Sequence, residues 1–280
     1  MSDARLGPRH ADVQRLRVLL RDRQARAQEQ AFVAEGPRVI GAALDRGAAL
    51  DVAYVAPGAR RAFAPLMARL ADAAVPVVDL KEGVLERIAS TVTPQPVLAV
   101  APMPYERRRA LADLRAAGPV LVLVDVSDPG NAGTLIRTAE AAGAAGVVTC
   151  GDGVDPYNPK VVRASAGAIF GVPVLGVADP VDALTALRAA GRTTIGSVVA
   201  GGATPDALDL RGPVALVVGG EARGLPAGLN ACLDATVTIP LASPHVESLN
   251  VAMAGTVLCF EAARQRAAAD PAPAPGQAVP

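Results

Sequence analysis

Short apolar runs alternate with amphipathic, helix-like stretches along most of the chain. Residues 12–30 carry arginines at helical spacing and predict one long helix. Residues 120–126 are apolar at every position except Asp125, which is typical of a central parallel strand with two buried faces. The alternation predicts an α/β protein with two units, the second of which is built on a parallel sheet.

The remaining predicted elements follow the same alternation. In the first unit, the pattern predicts strands over residues 32–34, 50–55, 75–79 and 97–101, and helices over residues 37–46, 60–73 and 82–89. In the second unit, it predicts strands over residues 146–150, 172–175, 193–199, 214–218 and 236–239, and a last helix over residues 247–266.

Changes in composition predict the domain boundaries. We expect an N-terminal domain over residues 1–104 and a linker over 105–118, which contains a charged helix over 106–117. A second domain is expected over residues 119–267. The Pro/Ala-rich tail over 268–280 is expected to be disordered.

The net charge of the 280 residues is zero, but the charge is unevenly distributed. Residues 1–117 contain 18 basic and 13 acidic residues, a net charge of +5, whereas residues 118–280 contain 9 and 14, a net charge of −5. A basic half suggests contact with a polyanion. The candidate phosphate contacts are Arg15, Arg17, Arg21, Arg23 and Arg26, although a solvated helix face would have the same pattern.

Composition excludes several classes of protein. Aromatic residues make up only 2% of the chain, so recognition of bases by rows of stacking rings is not expected. The three cysteines lack metal-ligand spacing and there are two histidines, so we expect buried thiols in a reducing cytoplasm and no metal site. No apolar run is long enough to span a membrane, and no membrane partner is expected.

Ligands of open parallel sheets collect beyond the carboxyl ends of the strands, so the loops there are the candidate sites. The run S-D-P-G-N-A-G-T-L-I-R follows residues 120–126; in it Asn131 could cap a helix that contains Arg137. The run G-G-E-A-R-G-L follows residues 214–218. Its glycines could let a ligand approach the backbone, or Glu221 could simply cap a helix.

The third loop, P-L-A-S-P-H-V-E-S-L-N, places Ser248 and Asn250 at the start of the last predicted helix. Taken alone, each loop could be an ordinary turn or helix cap. None carries the G-x-G-x-x-G fingerprint of dinucleotide-binding folds, and no phosphate-binding P-loop motif occurs in the chain.

Taken together, the three loops resemble the motifs of the SpoU (TrmH-type) RNA ribose 2′-O-methyltransferases of the SPOUT superfamily. The family pattern N-x-G-x-x-x-R is matched by Asn131, Gly133 and Arg137, G-x-E-x-x-G-L by Gly219, Glu221, Gly224 and Leu225, and I-P-M…S-L-N-V by Ile239, Pro240, Ser248, Leu249, Asn250 and Val251. A segment with Arg163, Ser165 and Gly167 resembles the family's linking segment. The resemblance covers residues 119–266.

The resemblance implies a C-terminal domain with a deep trefoil knot, which departs from the usual rules of chain connectivity. It also implies a small N-terminal α/β domain, similar to ribosomal proteins, that binds RNA, with ribosomal RNA favoured over transfer RNA. The expected cofactor is S-adenosylmethionine, released as S-adenosylhomocysteine, and the expected assembly is a homodimer through the knotted domain. The cofactor-binding residues implied are Gly219, Ile239, Leu241, Ser248, Leu249 and Asn250.

The resemblance also implies the catalytic residues. Arg137 would act on the ribose, Glu221 would orient Arg137 or the neighbouring turn, and Asn131, Ser248 and Asn250 would position the ribose and the cofactor. A guanidinium holds its proton above pH 12, so using it as a base near pH 7 costs about 7 kcal/mol. We therefore favour Arg137 as a charge clamp over Arg137 as a general base.

Two departures from the family pattern concern the third motif. Leu241 replaces the usual Met, and the loop before Ser248 is one residue longer than expected. Two other functions stay open at this point: a non-catalytic RNA-binding protein with a relict cofactor site, and a Rossmann-type enzyme with a nucleotide cofactor. The sequence does not name the modified nucleotide, and antibiotic-resistance methylation of large-subunit RNA is a special case.

Overall fold

The structure is a computed structural model that describes residues 5–89, 94–103, 111, 114 and 118–269. The charged helix predicted over residues 106–117 lies outside the described residues, apart from Leu111 and Leu114. The predicted tail also lies outside them from residue 270 onward, since the last described helix ends at Ala269.

The chain forms two compact units, neither of which is continuous along the sequence. The first unit comprises Met1–Arg108, Asp128–Arg137 and Val154–Pro173, and the second comprises Arg109–Ser127, Thr138–Gly153 and Val174–Pro280. Two segments from the predicted second domain therefore belong to the first unit.

Helices and strands alternate through both units. The first part of the chain contains α1 (Ala11–Arg21), α2 (Arg23–Glu29), β1 (Ala31–Glu35), α3 (Pro37–Asp45), β2 (Val52–Val55), α4 (Ala59–Ala62), α5 (Ala64–Asp72), β3 (Val77–Asp79), α6 (Val84–Ile88) and β4 (Val97–Pro102). The rest contains β5 (Val120–Val124), α7 (Pro129–Ala141), β6 (Gly146–Cys150), α8 (Pro159–Ala164), β7 (Val174–Val177), α9 (Pro180–Ala189), β8 (Thr193–Ser197), β9 (Val214–Gly219), β10 (Ala235–Val237) and α10 (Val251–Ala269).

The first unit is built on a four-stranded mixed sheet with the order β1-β4-β2-β3. The strand β4 pairs antiparallel with β1 and β2, and β2 pairs parallel with β3. Apolar side chains of α1, including Leu16 and Leu19, pack against Val33, Tyr54 and Leu98 of the sheet and are removed from water.

Two helices predicted as continuous are broken in the structure. The helix predicted over residues 12–30 is interrupted at Asp22, whose extended backbone ends α1 and whose carboxylate accepts the N–H groups of Gln24 and Ala25. The helix predicted over residues 60–73 is interrupted at Phe63, just before Pro65 in the first turn of α5. In the first case a side-chain cap competes with helix continuation, and in the second a proline favours a new helix start.

Arg26 is not a surface residue, so its prediction as a phosphate contact is wrong. The side chain is 2% exposed, and its Nε and Nη2 donate to Oδ2 of Asp155 at 2.8 and 2.6 Å. Its Nη1 donates to the carbonyl of Leu19 at 2.6 Å. Arg15 forms an ion pair with Glu29 at 2.6 Å. The other predicted contacts, Arg17, Arg21 and Arg23, are exposed.

The second unit contains a six-stranded sheet with the order β10-β8-β9-β5-β6-β7, in which every neighbouring pair is parallel. All five residues of β5 are buried, as predicted for a central strand. The α/β fold with a parallel sheet is therefore confirmed, whereas the trefoil knot stays a prediction. The neighbour of β5 is β9 and not β8, so the order differs from that of Rossmann folds.

The three cysteines differ in how far they are buried. Cys150 and Cys259 are buried, and burial raises the pKa of each thiol to about 12, whereas Cys232 is only half-buried, contrary to the prediction.

No helix in the described part of the chain is long and apolar enough to cross a bilayer.

The buried cation of the first unit gives a prediction about stability. Replacing Arg26 by Met should lower the free energy of unfolding by about 3 kcal/mol, because the carboxylate of Asp155 would be left largely buried without its cation. Replacing the exposed Arg17 by Met should change it by less than about 0.5 kcal/mol. Urea unfolding of both variants measures the difference, and equal values would contradict the interpretation.

Candidate active site

The carboxyl ends of β5 and β9 lie side by side because these strands pair in parallel. The residue directly after β5 is Asp125, whose φ of 54° lies in the left-handed region. Its Oδ1 accepts the N–H of Asp152 at 2.8 Å, and its own N–H donates to the carbonyl of Cys150 at 3.1 Å. Asp125 thus joins the ends of β5 and β6, and such unfavourable backbone conformations cluster at functional sites.

The glycines at the end of β9 and directly after it are required by close backbone packing. A Cβ atom on Gly220 would overlap the carbonyl oxygen of Asp125, and one on Gly219 would overlap the backbone of Gly224. Gly224 has a φ of 64°, and its N–H donates to the carbonyl of Gly220 at 2.9 Å. The turn therefore folds back on itself against the end of β5, which only residues without a side chain allow.

Glu221 is bonded to the turn after β5. Its Oε2 accepts the backbone N–H of Ser127 at 3.2 Å and the Ser127 hydroxyl at 3.3 Å. Of the two roles considered for Glu221, this contact corresponds to orienting the neighbouring turn.

A cavity of about 510 Å³ opens at this edge of the second unit. Seven of the predicted site residues line it: Gly219, Glu221, Ile239, Leu241, Ser248, Leu249 and Asn250. Its volume lies within the range that is typical of small-molecule sites. The structure therefore brings together two motifs, over residues 219–225 and 239–251, that are separate in the sequence.

Several lining residues were missed by the sequence reasoning. The end of β8 contributes Ser197, Val198 and Val199, and the two other motifs contribute Arg223 and Glu247. The β8 residues belong to no motif, so no local signal marks them. Arg223 and Glu247 lie between motif residues of the second and third motifs. Their charges, among mostly apolar residues and glycines, could have marked them as candidates.

The third motif lies in an irregular segment and not in a helix. The last helix begins at Val251, four residues later than predicted, and Ser248 and Asn250 are exposed residues before it. The Oδ1 of Asn250 accepts the N–H of Ala252 at 2.8 Å and so caps the helix. Further along, the hydroxyls of Thr138 and Thr256 lie 2.9 Å apart and connect α7 with α10.

The first motif occupies the start of α7. Asp128, and not Asn131 as predicted, caps the helix, because its Oδ1 accepts the N–H of Asn131 at 2.8 Å. Asn131 is half-buried and Arg137 is exposed, and both belong to the first unit. Gly133 is buried where a Cβ atom would overlap Ala164 of α8, so the motif's glycine serves helix packing.

Comparison with known proteins agrees with these features. The model of the SpoU rRNA methylase family matches residues 118–260, and that of the MRM3-like substrate-binding domain matches residues 11–99. An uncharacterised tRNA/rRNA methyltransferase of Synechocystis is 34% identical over 89% of this chain and 90% of its own length.

A second relative and a solved structure are similar along almost their whole length. The 23S rRNA (uridine(2479)-2′-O)-methyltransferase of Streptomyces viridochromogenes is 31% identical over 94% of this chain and 92% of its own. The AdoMet-bound rRNA methyltransferase of Sinorhizobium meliloti superposes with a TM-score of 0.76 at 31% identity, covering 91% of this chain and 95% of that one.

A parallel sheet with motif residues around a cavity at its carboxyl edge, joined to a substrate-binding domain, defines a SAM-dependent RNA methyltransferase. The chain belongs to the SpoU rRNA methylase family. The resemblance seen in the motifs is thereby confirmed, and the Rossmann-type alternative is wrong.

The cavity fits the family's cofactor, S-adenosylmethionine. Gly219 and Gly220 line the cavity with main chain only, which suits a ligand held by main-chain groups. The apolar side chains of Leu241 and Leu249 are each 36% exposed and could cover an adenine ring, and Ser248 supplies a hydroxyl. In the described residues, no cluster of three or more His, Cys, Asp or Glu side chains could hold a metal ion.

The packing at Gly220 gives a prediction about cofactor affinity. Replacing Gly220 by Ala should weaken SAM binding about tenfold or more, because the new methyl group displaces the turn that lines the cavity. Replacing Gly228 by Ala is the control, since its added Cβ would meet no atom within 4 Å. Calorimetric titration measures both affinities, and an unchanged Kd in Gly220→Ala would contradict the proposed role of the turn.

Proposed function

We propose that this chain transfers a methyl group from S-adenosylmethionine to a ribose 2′-hydroxyl of ribosomal RNA, in the large subunit. This proposal is supported above all by the cavity at the carboxyl ends of β8 and β9, which is lined by residues of two SpoU motifs. A relative of nearly the same length is named as a 23S rRNA 2′-O-methyltransferase, which supports the large-subunit target.

The site residues named from the motifs have complementary tasks in this proposal. When bound, the cofactor supplies an electrophilic sulfonium methyl group. We assign the orientation of the ribose and the cofactor to Ser248 and Asn250, which line the cavity just before α10. From the motif alone, we assign Asn131 to the ribose. Glu221 holds the turn at Ser127 in place. The enzyme's contribution is thus mainly orientation, which can account for a large part of a rate enhancement.

Arg137 carries the positive charge of the proposed mechanism. We propose that it binds the target phosphate and stabilises the negative charge that develops on the ribose oxygen. A guanidinium keeps its proton near neutral pH and donates hydrogen bonds in a planar fork. Its exposure on α7 leaves it accessible to RNA.

Substitution of Arg137 tests this assignment. Arg137→Met should lower kcat about a hundredfold because one charge-stabilising donor is lost. Arg137→Lys should also be strongly impaired, since lysine keeps the charge without the fork. SAM affinity should be unchanged in both. Radiolabelled methyl transfer to 23S rRNA lacking modifications measures kcat, with Arg188→Met as a surface control. Nearly full activity in Arg137→Lys would count against both the clamp and the base.

An experiment in cells would identify the modified nucleotide. We expect a deletion strain to lack one 2′-O-methyl group in 23S rRNA, which the restored wild-type gene replaces. A wild-type protein that neither transfers a methyl group nor binds SAM would instead favour a non-catalytic RNA-binding protein with a relict cofactor site.

RNA is the macromolecular partner, as the match to a substrate-binding domain indicates. We propose that Arg17, Arg21 and Arg23 contact its phosphates, because they are exposed on α1 and α2. We also propose that the reaction takes place in the cytoplasm, where the three free cysteines stay reduced.

We propose that the protein is a homodimer through its second unit. Met253, Val257 and Phe260 recur every three or four residues on α10 and are 52%, 41% and 48% exposed. This spacing gives one apolar stripe along the helix, which needs a partner surface to leave water.

A charge in the stripe should disrupt the dimer. Val257→Glu should convert the dimer into a monomer, because a carboxylate would be buried at the interface. Val181→Glu is the matched control, as Val181 on α9 is 40% exposed, close to the 41% of Val257. Light scattering coupled to size-exclusion chromatography measures the mass, and a monomeric wild-type protein with full activity would overturn the proposal.

A further inference from the structure

An ion pair in the first unit connects two parts of the chain that are 128 residues apart. The Nη1 of Arg163 donates to Oε2 of Glu35 at 2.8 Å. Glu35 ends β1 in the substrate-binding domain and is 2% exposed, and Arg163 lies in the last turn of α8. A buried carboxylate is costly without a cation, so this contact strongly favours one placement of α8 against β1.

The same helix supports the helix that carries Arg137. A Cβ atom on Gly133 of α7 would overlap the Ala164 side chain and lie 2.8 Å from the carbonyl oxygen of Val161. The backbones of α7 and α8 are therefore in direct contact, and a shift of α8 must move the start of α7.

Aromatic contacts hold the segments on either side of α8. The ring of Phe32 in β1 lies 4.9 Å from that of Tyr157, before the helix, and 5.5 Å from that of Phe170, after it. These contacts hold the whole segment on the sheet, but they are apolar and tolerate small shifts. The directional contact on α8 itself is the bond from Arg163 to Glu35.

We propose that Arg163 is a positioning residue, which through Glu35 fixes α8, and with it Asn131 and Arg137 of α7, to the sheet of the RNA-binding domain. The inference rests on the proposed function, since it concerns the geometry of that reaction. It predicts that an RNA bound by the first unit meets Arg137 at a set position, without a flexible joint between them.

Variants of Arg163 test the proposal by separating kcat from binding. Arg163→Met should lower kcat about tenfold or more, because a small misplacement of a catalytic group is costly. The KM for RNA and the Kd for SAM should stay within about twofold of the wild type. Arg163→Lys keeps the charge and one donor, so kcat should return to within about threefold of the wild-type value.

A matched control removes an ion pair from the same unit without touching α8. Arg69 pairs with Asp45 at 2.6 Å, and Arg69→Met should leave kcat unchanged. The double variant Glu35→Gln/Arg163→Met should lose no more kcat than Arg163→Met alone, because both changes remove one interaction. If the losses in kcat of the two single variants multiplied in the double variant, the proposal would be overturned.

A readout that needs no activity distinguishes this inference from the proposed function. Hydrogen exchange of α7 peptides should be faster in Arg163→Met than in the wild type or in Arg163→Lys, with α9 as the internal reference. Unchanged exchange in α7 would overturn the positioning role, even if the wild-type enzyme methylates RNA. A wild-type protein without methyl transfer would refute the proposed function, while faster α7 exchange would still support the positioning role.

Discussion

The left-handed backbone at Asp125 is the constraint on which the carboxyl edge of the sheet depends. Its carbonyl leaves room only for a glycine at position 220, and its carboxylate, which accepts the N–H of Asp152, leaves room only for a glycine at 151. Two residues further on, Ser127 is bonded to Glu221. The ends of three strands are thus locked together through one residue, and the cavity of the second unit lies on this rigid edge.

The first unit is organised by arginines in an interior that favours paired charges. Arg26 and Arg163 hold the carboxylates of Asp155 and Glu35, and each pair joins an N-terminal element, α2 or β1, to the segment after β6. The excess of +5 in residues 1–117 therefore has two uses. Arg26 is used for internal pairing, because desolvation makes a partner obligatory. The exposed arginines of α1 and α2 remain for a polyanion.

Much of the fold was predictable because it depends on local patterns. The buried strand β5 and both ends of β6 follow from apolar runs bounded by glycine and aspartate. The interruption of the first helix at Asp22 depends on a competition between two local structures of similar energy, which periodicity does not rank. The late start of α10 has the same origin, because the cap at Asn250 competes with earlier polar residues that could also begin a helix.

By itself, the sequence determined the family, the cofactor class and seven of the residues that line the cavity, because the motifs place the required residue types at set spacings. Only the tertiary structure decided what those residues contact. It showed that Gly133 and Gly220 are there for packing, that Arg26 is buried, and that Arg163 reaches Glu35. Each of these facts depends on atoms that are distant in the chain. Spacing records which residues are present, whereas burial and pairing arise only when the chain is folded.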